Sequence, residues 1–107
     1  MYKLEFLPVA KKDMDDIIYY VSHNLKNSSA ARKLSKNFIK SANSILDFPY
    51  GLSIYKYSEK LANNYRCIRI KNFLMFYTIN EKDKIVTIVR VLHKKMDISN
   101  KLKWEYI

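Results

Sequence analysis

Three apolar runs, Tyr65 to Lys71, Phe73 to Ile79 and Ile85 to Leu92, follow one another across short polar breaks near Lys71-Asn72 and at Asn80-Glu81-Lys82-Asp83-Lys84. Connections that brief join antiparallel neighbours, because a parallel return needs a dozen or more residues. The first run alternates, with Ile68 and Ile70 on one face and Cys67 and Arg69 on the other. The two that follow are rich in aromatic and β-branched residues on both parities, the pattern of central strands. Such a meander leaves apolar surface for the rest of the chain to cover.

The first half of the chain supplies the cover. Residues 2 to 7 alternate as a strand, and Pro8 suits the first turn of a helix, where its missing N–H costs nothing. Ala10, Met14, Ile17, Ile18, Val21 and Leu25 then recur at spacings of three and four, one apolar stripe. Asp13, Asp15 and Asp16 read as acids near the positive end of that helix. Asn27-Ser28-Ser29 interrupts the stripe and offers capping oxygens to a second helix, whose stripe is Ala31, Leu34, Phe38, Ala42, Ile45 and Leu46. Phe48-Pro49-Tyr50-Gly51 ends it. The break between the helices is short, so they form an antiparallel hairpin, with helices of about 15 and 19 residues. Residues 52 to 64 carry no clear pattern. Ile98, Leu102, Trp104 and Ile107 suggest a short terminal helix. The expected fold is α+β, in the order β-α-α-β-β-β with a short C-terminal tail. It is a single domain over residues 1–107, an antiparallel sheet with the helical hairpin packed on one face.

Composition removes several kinds of chemistry. One Cys and two His, His23 and His93, cannot build a recognisable zinc site, so no metal is expected. A single Gly excludes a phosphate-binding glycine loop, and no serine sits in a nucleophile elbow. No cofactor is expected. The apolar runs fall well short of the ~20 residues of a membrane helix, so no membrane partner is expected. A lone cysteine and an N-terminus without an apolar signal core imply a cytoplasmic protein.

What remains is cationic. Twenty Lys and Arg against ten acids give a formal charge of +10, a field that attracts polyanions or acidic proteins. Arg66, Arg69, Lys71, Arg90, His93, Lys94 and Lys95 all belong to the meander or its ends. Strands about 4.8 Å apart bring such side chains within reach of one another. Parity separates some of them: Arg66 from Arg69 and Lys71, and Arg90 from His93 unless a bulge intervenes.

The stretches "YKLEFLPVAKKDMDDIIYYV" and "YRCIRIKNFLMFYTINEKDKIVTIVRVLHKKMD", in this order of elements, resemble the RelE/ParE superfamily of type II toxin–antitoxin toxins. The resemblance covers residues 2 to about 99 and rests on the strand–Pro–helix start, the Tyr-Arg that opens the meander and the "RVLHKKMD" that closes it. It implies an antiparallel sheet carrying a helical hairpin, a growth-inhibiting activity and neutralisation by a cognate acidic antitoxin.

The superfamily offers two mechanisms. RelE-like members cleave mRNA in the ribosome without metal, which needs cations on the phosphate and groups that move protons. Under that reading His93, Arg90 and Arg66 are the catalytic residues, and Arg69 and the pair Lys94-Lys95 can add charge on the phosphate. ParE-like members inhibit DNA gyrase, and Arg69, Lys71, Lys94 and Lys95 then belong to the target or nucleic-acid binding surface. Many RelE-like nucleases carry a Tyr-Arg pair where this chain has Phe73 and Leu74, and Leu74 cannot bind phosphate. That departure and the long hairpin favour the ParE-like reading. A third reading, a non-toxic basic nucleic-acid-binding module, requires exposed stacking aromatics, for which Tyr55, Tyr57, Tyr65 and Tyr77 are the candidates.

Overall fold

The computed structural model describes residues 1–52, 54–55, 64–103 and 107. Tyr57, Trp104 and most of the patternless stretch 52 to 64 lie outside the described residues. The elements are β1 (Lys3–Phe6), α1 (Pro8–Tyr19), α2 (Ser28–Ile45), β2 (Arg66–Ile70), β3 (Phe73–Asn80), β4 (Ile85–His93) and a short α3 (Ile98–Lys101). They form one four-stranded sheet in the order β1-β4-β3-β2. The meander is antiparallel as expected, but β1 runs parallel to β4, with Lys3 opposite Ile85 and Phe6 opposite Ile88. The sheet is therefore mixed. The whole hairpin and two strands separate β1 from β4, so turn length places no constraint on their relative direction.

Two cores sandwich the sheet. On one face Leu34, Phe38, Ala42 and Ile45 of α2 meet Ile70, Met75, Tyr77, Val86, Ile88 and Val91, with Ala10 of α1. Phe38 is 1% exposed and stands edge-on to Phe73, ring centroids 5.9 Å apart. On the other face Tyr65, Phe76, Val89 and Leu92 pack with Ile98 and Leu102 of the C-terminal segment. Tyr65 and Tyr77 are buried, and their hydroxyls donate to the carbonyls of Leu102 and Pro49. They are core residues and cannot stack on bases. Tyr55 is half-buried against the ring of Phe76.

The hairpin departs from its expected form at the end of α1. Tyr20–Asn24 is a π-helical turn, closed by the Leu25 N–H on the Tyr20 carbonyl at 3.1 Å. The wider turn carries the stripe off its line, so Leu25 is 55% exposed rather than buried. Asn27 then caps α2, its side chain accepting the Ala30 N–H at 3.0 Å. The first turn of α1 holds no acid, and Asp13, Asp15 and Asp16 sit further along the helix than its dipole reaches. Away from the hairpin, Glu81 accepts from Lys84 and from the hydroxyls of Tyr2 and Tyr50, contacts that hold its carboxyl down at about 2. That cluster ties β1 and the Pro49-Tyr50 segment to the β3–β4 turn. No helix among the described residues is long and apolar enough to cross a membrane.

Candidate functional site

β4 carries the two residues on which the nuclease reading depends, and the structure separates them. Opposite β3, Phe76 pairs with Arg90 but Tyr77 pairs with Ile88, so Val89 is an extra residue, a bulge. The register from Arg90 to His93 is regular beyond it. The bulge therefore precedes Arg90 and leaves Arg90 and His93 at opposite parities.

Arg90 points away from solvent. It is 8% exposed, and its Nε and one terminal nitrogen donate to the two oxygens of Asp13, each at 2.7 Å. The same carboxylate accepts the backbone N–H of Val91 at 3.0 Å. β1 stops pairing at Phe6–Ile88, so Asp13 takes over the exposed edge of β4 where the strand beside it ends. A second terminal nitrogen of Arg90 reaches the carbonyl of Lys101 at 3.4 Å. Arg90 thus links α1, β4 and the C-terminal segment. A planar fork on a carboxylate is among the stronger polar contacts, and removing either partner loses it at a place largely closed to water. Asp13 is the residue that sequence reasoning missed. The signal was there: Asp13 lies three residues after Ala10 and four before Ile17, on the inward face of its helix.

His93 ends β4, three residues beyond Arg90 and on the other face of the sheet. Its Nδ1 accepts the backbone N–H of Lys95 at 3.1 Å, which puts the proton of the neutral ring on Nε2. Its ring stands edge-on to Phe73, centroids 5.4 Å apart. The Lys94 N–H donates to the Asn72 carbonyl at 2.8 Å, so His93-Lys94-Lys95 sits against the β2–β3 turn. Lys71 occupies that turn with a φ of 54°, and Arg69 donates through Nε to the Lys71 carbonyl at 2.8 Å. Arg69, Lys71, His93, Lys94 and Lys95 thereby gather at one end of the sheet.

A groove of about 280 Å³ opens there, lined by Tyr20, Val21, Leu25, Ala30 and Leu34 of the hairpin together with Lys71, Asn72, Phe73 and His93. Tyr20 and Leu25 are more than half exposed. The displaced end of the α1 stripe has become one wall of an apolar groove with a cationic rim. A surface of that kind suits an amphipathic segment carrying acids, which gains both apolar burial and charge complementarity.

Arg66 does not join this group. It pairs with Tyr77 while His93 pairs with Phe73, positions about 13 Å apart along β3 at ~3.3 Å per residue. Its guanidinium donates to the Leu52 carbonyl and lies over the Tyr50 ring, 5.1 Å from the centroid. Leu74 is opposite Arg69 and Leu92 and packs in the second core. Cys67 is half-buried, and burial pushes its thiol up, away from nucleophilic use.

Comparison with known proteins agrees with this architecture. A protein family described as the ParE toxin of type II toxin–antitoxin system, parDE, has a model that matches residues 4–98. Among solved structures, a chain of the chromosomal ParDE toxin–antitoxin system from P. aeruginosa is similar in fold, with a TM-score of 0.68 at 18% identity. The match covers 87% of this chain and 96% of that one. A comparison with curated proteins gave no match. The family match spans nearly all of the chain, from β1 to the start of α3. This chain belongs to the ParE toxin family, the toxin component of type II toxin–antitoxin modules.

Proposed function

We propose that this toxin inhibits DNA gyrase without cleaving RNA, and that an acidic, amphipathic segment of its antitoxin neutralises it at the groove beside His93. The observation that carries the reading is the engagement of the two arginines a nuclease would need. Arg90 is held by Asp13, and Arg66 is held by Leu52 and Tyr50 beside Tyr77, about 13 Å along β3 from the Phe73 that His93 faces. Leu74 stands where a phosphate-binding arginine would be useful, and it is committed to the core. With Arg90 and Arg66 engaged elsewhere, the cations beside His93 are Lys71, Lys94, Lys95 and an Arg69 whose Nε is spent on the Lys71 carbonyl, a poorer match to a transition state of rising phosphate charge than a free arginine fork. The apolar groove with its cationic rim, by contrast, has the chemistry of a polypeptide docking surface.

Purified toxin added to a gyrase supercoiling reaction and, separately, to programmed ribosomes tests the reading. Inhibition of supercoiling is expected, with no codon-phased cuts in mRNA. His93→Gln should inhibit gyrase as the parent does, because no proton-transfer step depends on the ring. In a RelE-like nuclease the same change would slow cleavage by about 10²–10⁴-fold. Ribosome-dependent cuts that vanish in His93→Gln, with gyrase unaffected, would overturn the proposal.

A further inference from the structure

The outer face of α2 is not used by the groove or the core, and its chemistry is unusually uniform. Its sequence, SSAARKLSKNFIKSANSI, contains Arg32, Lys33, Lys36 and Lys40 and no acid at all. All four cations are exposed, and among the described residues no ion pair engages them. At about 100° per residue they fall within an arc of roughly 100°, centred directly opposite the buried stripe. Arg32, Lys36 and Lys40 follow one another at i, i+4 and i+8, a straight row rising about 6 Å per step.

The other residues on this face are hydrogen-bonding groups such as Ser29, Asn43 and Ser44, and Ile39 is the one large apolar side chain of α2 exposed there. That composition decides between partners. A protein interface buries an apolar, often aromatic, centre inside a polar rim, and this face has no such centre. A single-stranded nucleic acid needs aromatic platforms for its bases, and α2 presents none. Lys, Arg, Ser and Asn are the side chains that contact phosphate and sugar on a duplex without reading bases.

We infer that the outer face of α2 is a docking surface for the phosphate backbone of duplex DNA, contacted without sequence preference by Arg32, Lys33, Lys36 and Lys40. The choice of DNA over an RNA duplex rests on the gyrase reading, since gyrase acts on duplex DNA. The cation row itself does not depend on that reading. Contacts of this kind would hold the toxin beside the nucleic acid on which its target works and would weaken steeply with salt.

The test measures binding of the full-length toxin to a labelled 30-base-pair DNA duplex by fluorescence anisotropy between about 50 and 200 mM salt. A slope of log K against log salt of roughly −3 to −4 is expected for three or four phosphate contacts. Arg32→Gln, Lys36→Gln and Lys40→Gln should each reduce that slope by about one and weaken binding roughly eightfold near 0.1 M salt. Lys3→Gln, Lys82→Gln and Lys103→Gln, made singly, each lose equal charge elsewhere on the surface and should bind nearly as the parent does. Equal losses in both sets would show that only the overall field matters and would overturn the inference. Tighter binding to an RNA duplex of the same length, or to poly-glutamate, would overturn it in favour of another partner. Duplex binding is read without gyrase, so its failure is separable from failure of the supercoiling assay.

Discussion

The two helices of the hairpin share one fold and one core, yet they use charge in opposite ways. α1 carries Lys11 and Lys12 with Asp13, Asp15 and Asp16, and its key carboxylate is turned inward on Arg90 and the Val91 N–H. α2 carries four cations and no acid, all of them turned out. On α1, the ionised group that matters is half-buried, paired both ways and part of the fold. On α2, charge is exposed and, among the described residues, enters no ion pair. Charge that shapes a fold is recognised by its partners and its burial, not by how much of it a helix carries.

That contrast predicts a graded set of stability changes. Asp13→Ala should cost about 3–5 kcal/mol in urea unfolding, because it removes the carboxylate fork from the buried Arg90 and the acceptor for the Val91 N–H. Asp13→Asn should cost less, since the amide oxygen can still accept from Val91. A loss below 1 kcal/mol for Asp13→Ala would show that the pair is solvated and that α1 resembles α2 after all. At the junction of the helices, Asn27→Ala removes the acceptor for the Ala30 N–H and should cost about 1 kcal/mol. Its thermal melt therefore belongs between those of the other variants. At the bottom of the range, Lys36→Ala should change stability by no more than about 0.5 kcal/mol. A larger loss in Lys36→Ala would mean that the outer face of α2 has a structural duty.

Most of the scaffold was legible from residue order. The meander was visible in its short turns, the second helix in a stripe of which Ala31, Leu34, Phe38, Ala42 and Ile45 are buried and Leu46 half-buried, and its cap in Asn27. The toxin family was legible in the opening and closing segments of the chain, and the match over residues 4–98 agrees. The candidate site was legible only in part. Arg69, Lys71, His93, Lys94 and Lys95 are gathered at one end of the sheet, whereas Arg90 and Arg66 are drawn away by Asp13, Leu52 and Tyr50. The cations of α2 drew no attention in the sequence, because a charged outer helix face is ordinary until its lack of acids is set beside α1.

Periodicity and turn chemistry are local, acting over a few residues, and they were enough to determine which segments are helix or strand and which faces are apolar. Three decisions needed the tertiary structure. The parallel pairing of β1 with β4 joins residues about eighty positions apart, and no local signal spans that distance. The bulge at Val89 depends on how β4 registers against β3, and the partner strand must be in place before an extra residue exists. Whether an arginine is a free phosphate ligand or a structural tie depends on which carboxylate folding brings beside it. For Arg90 that carboxylate is Asp13, 77 residues away along the chain and 2.7 Å away in space.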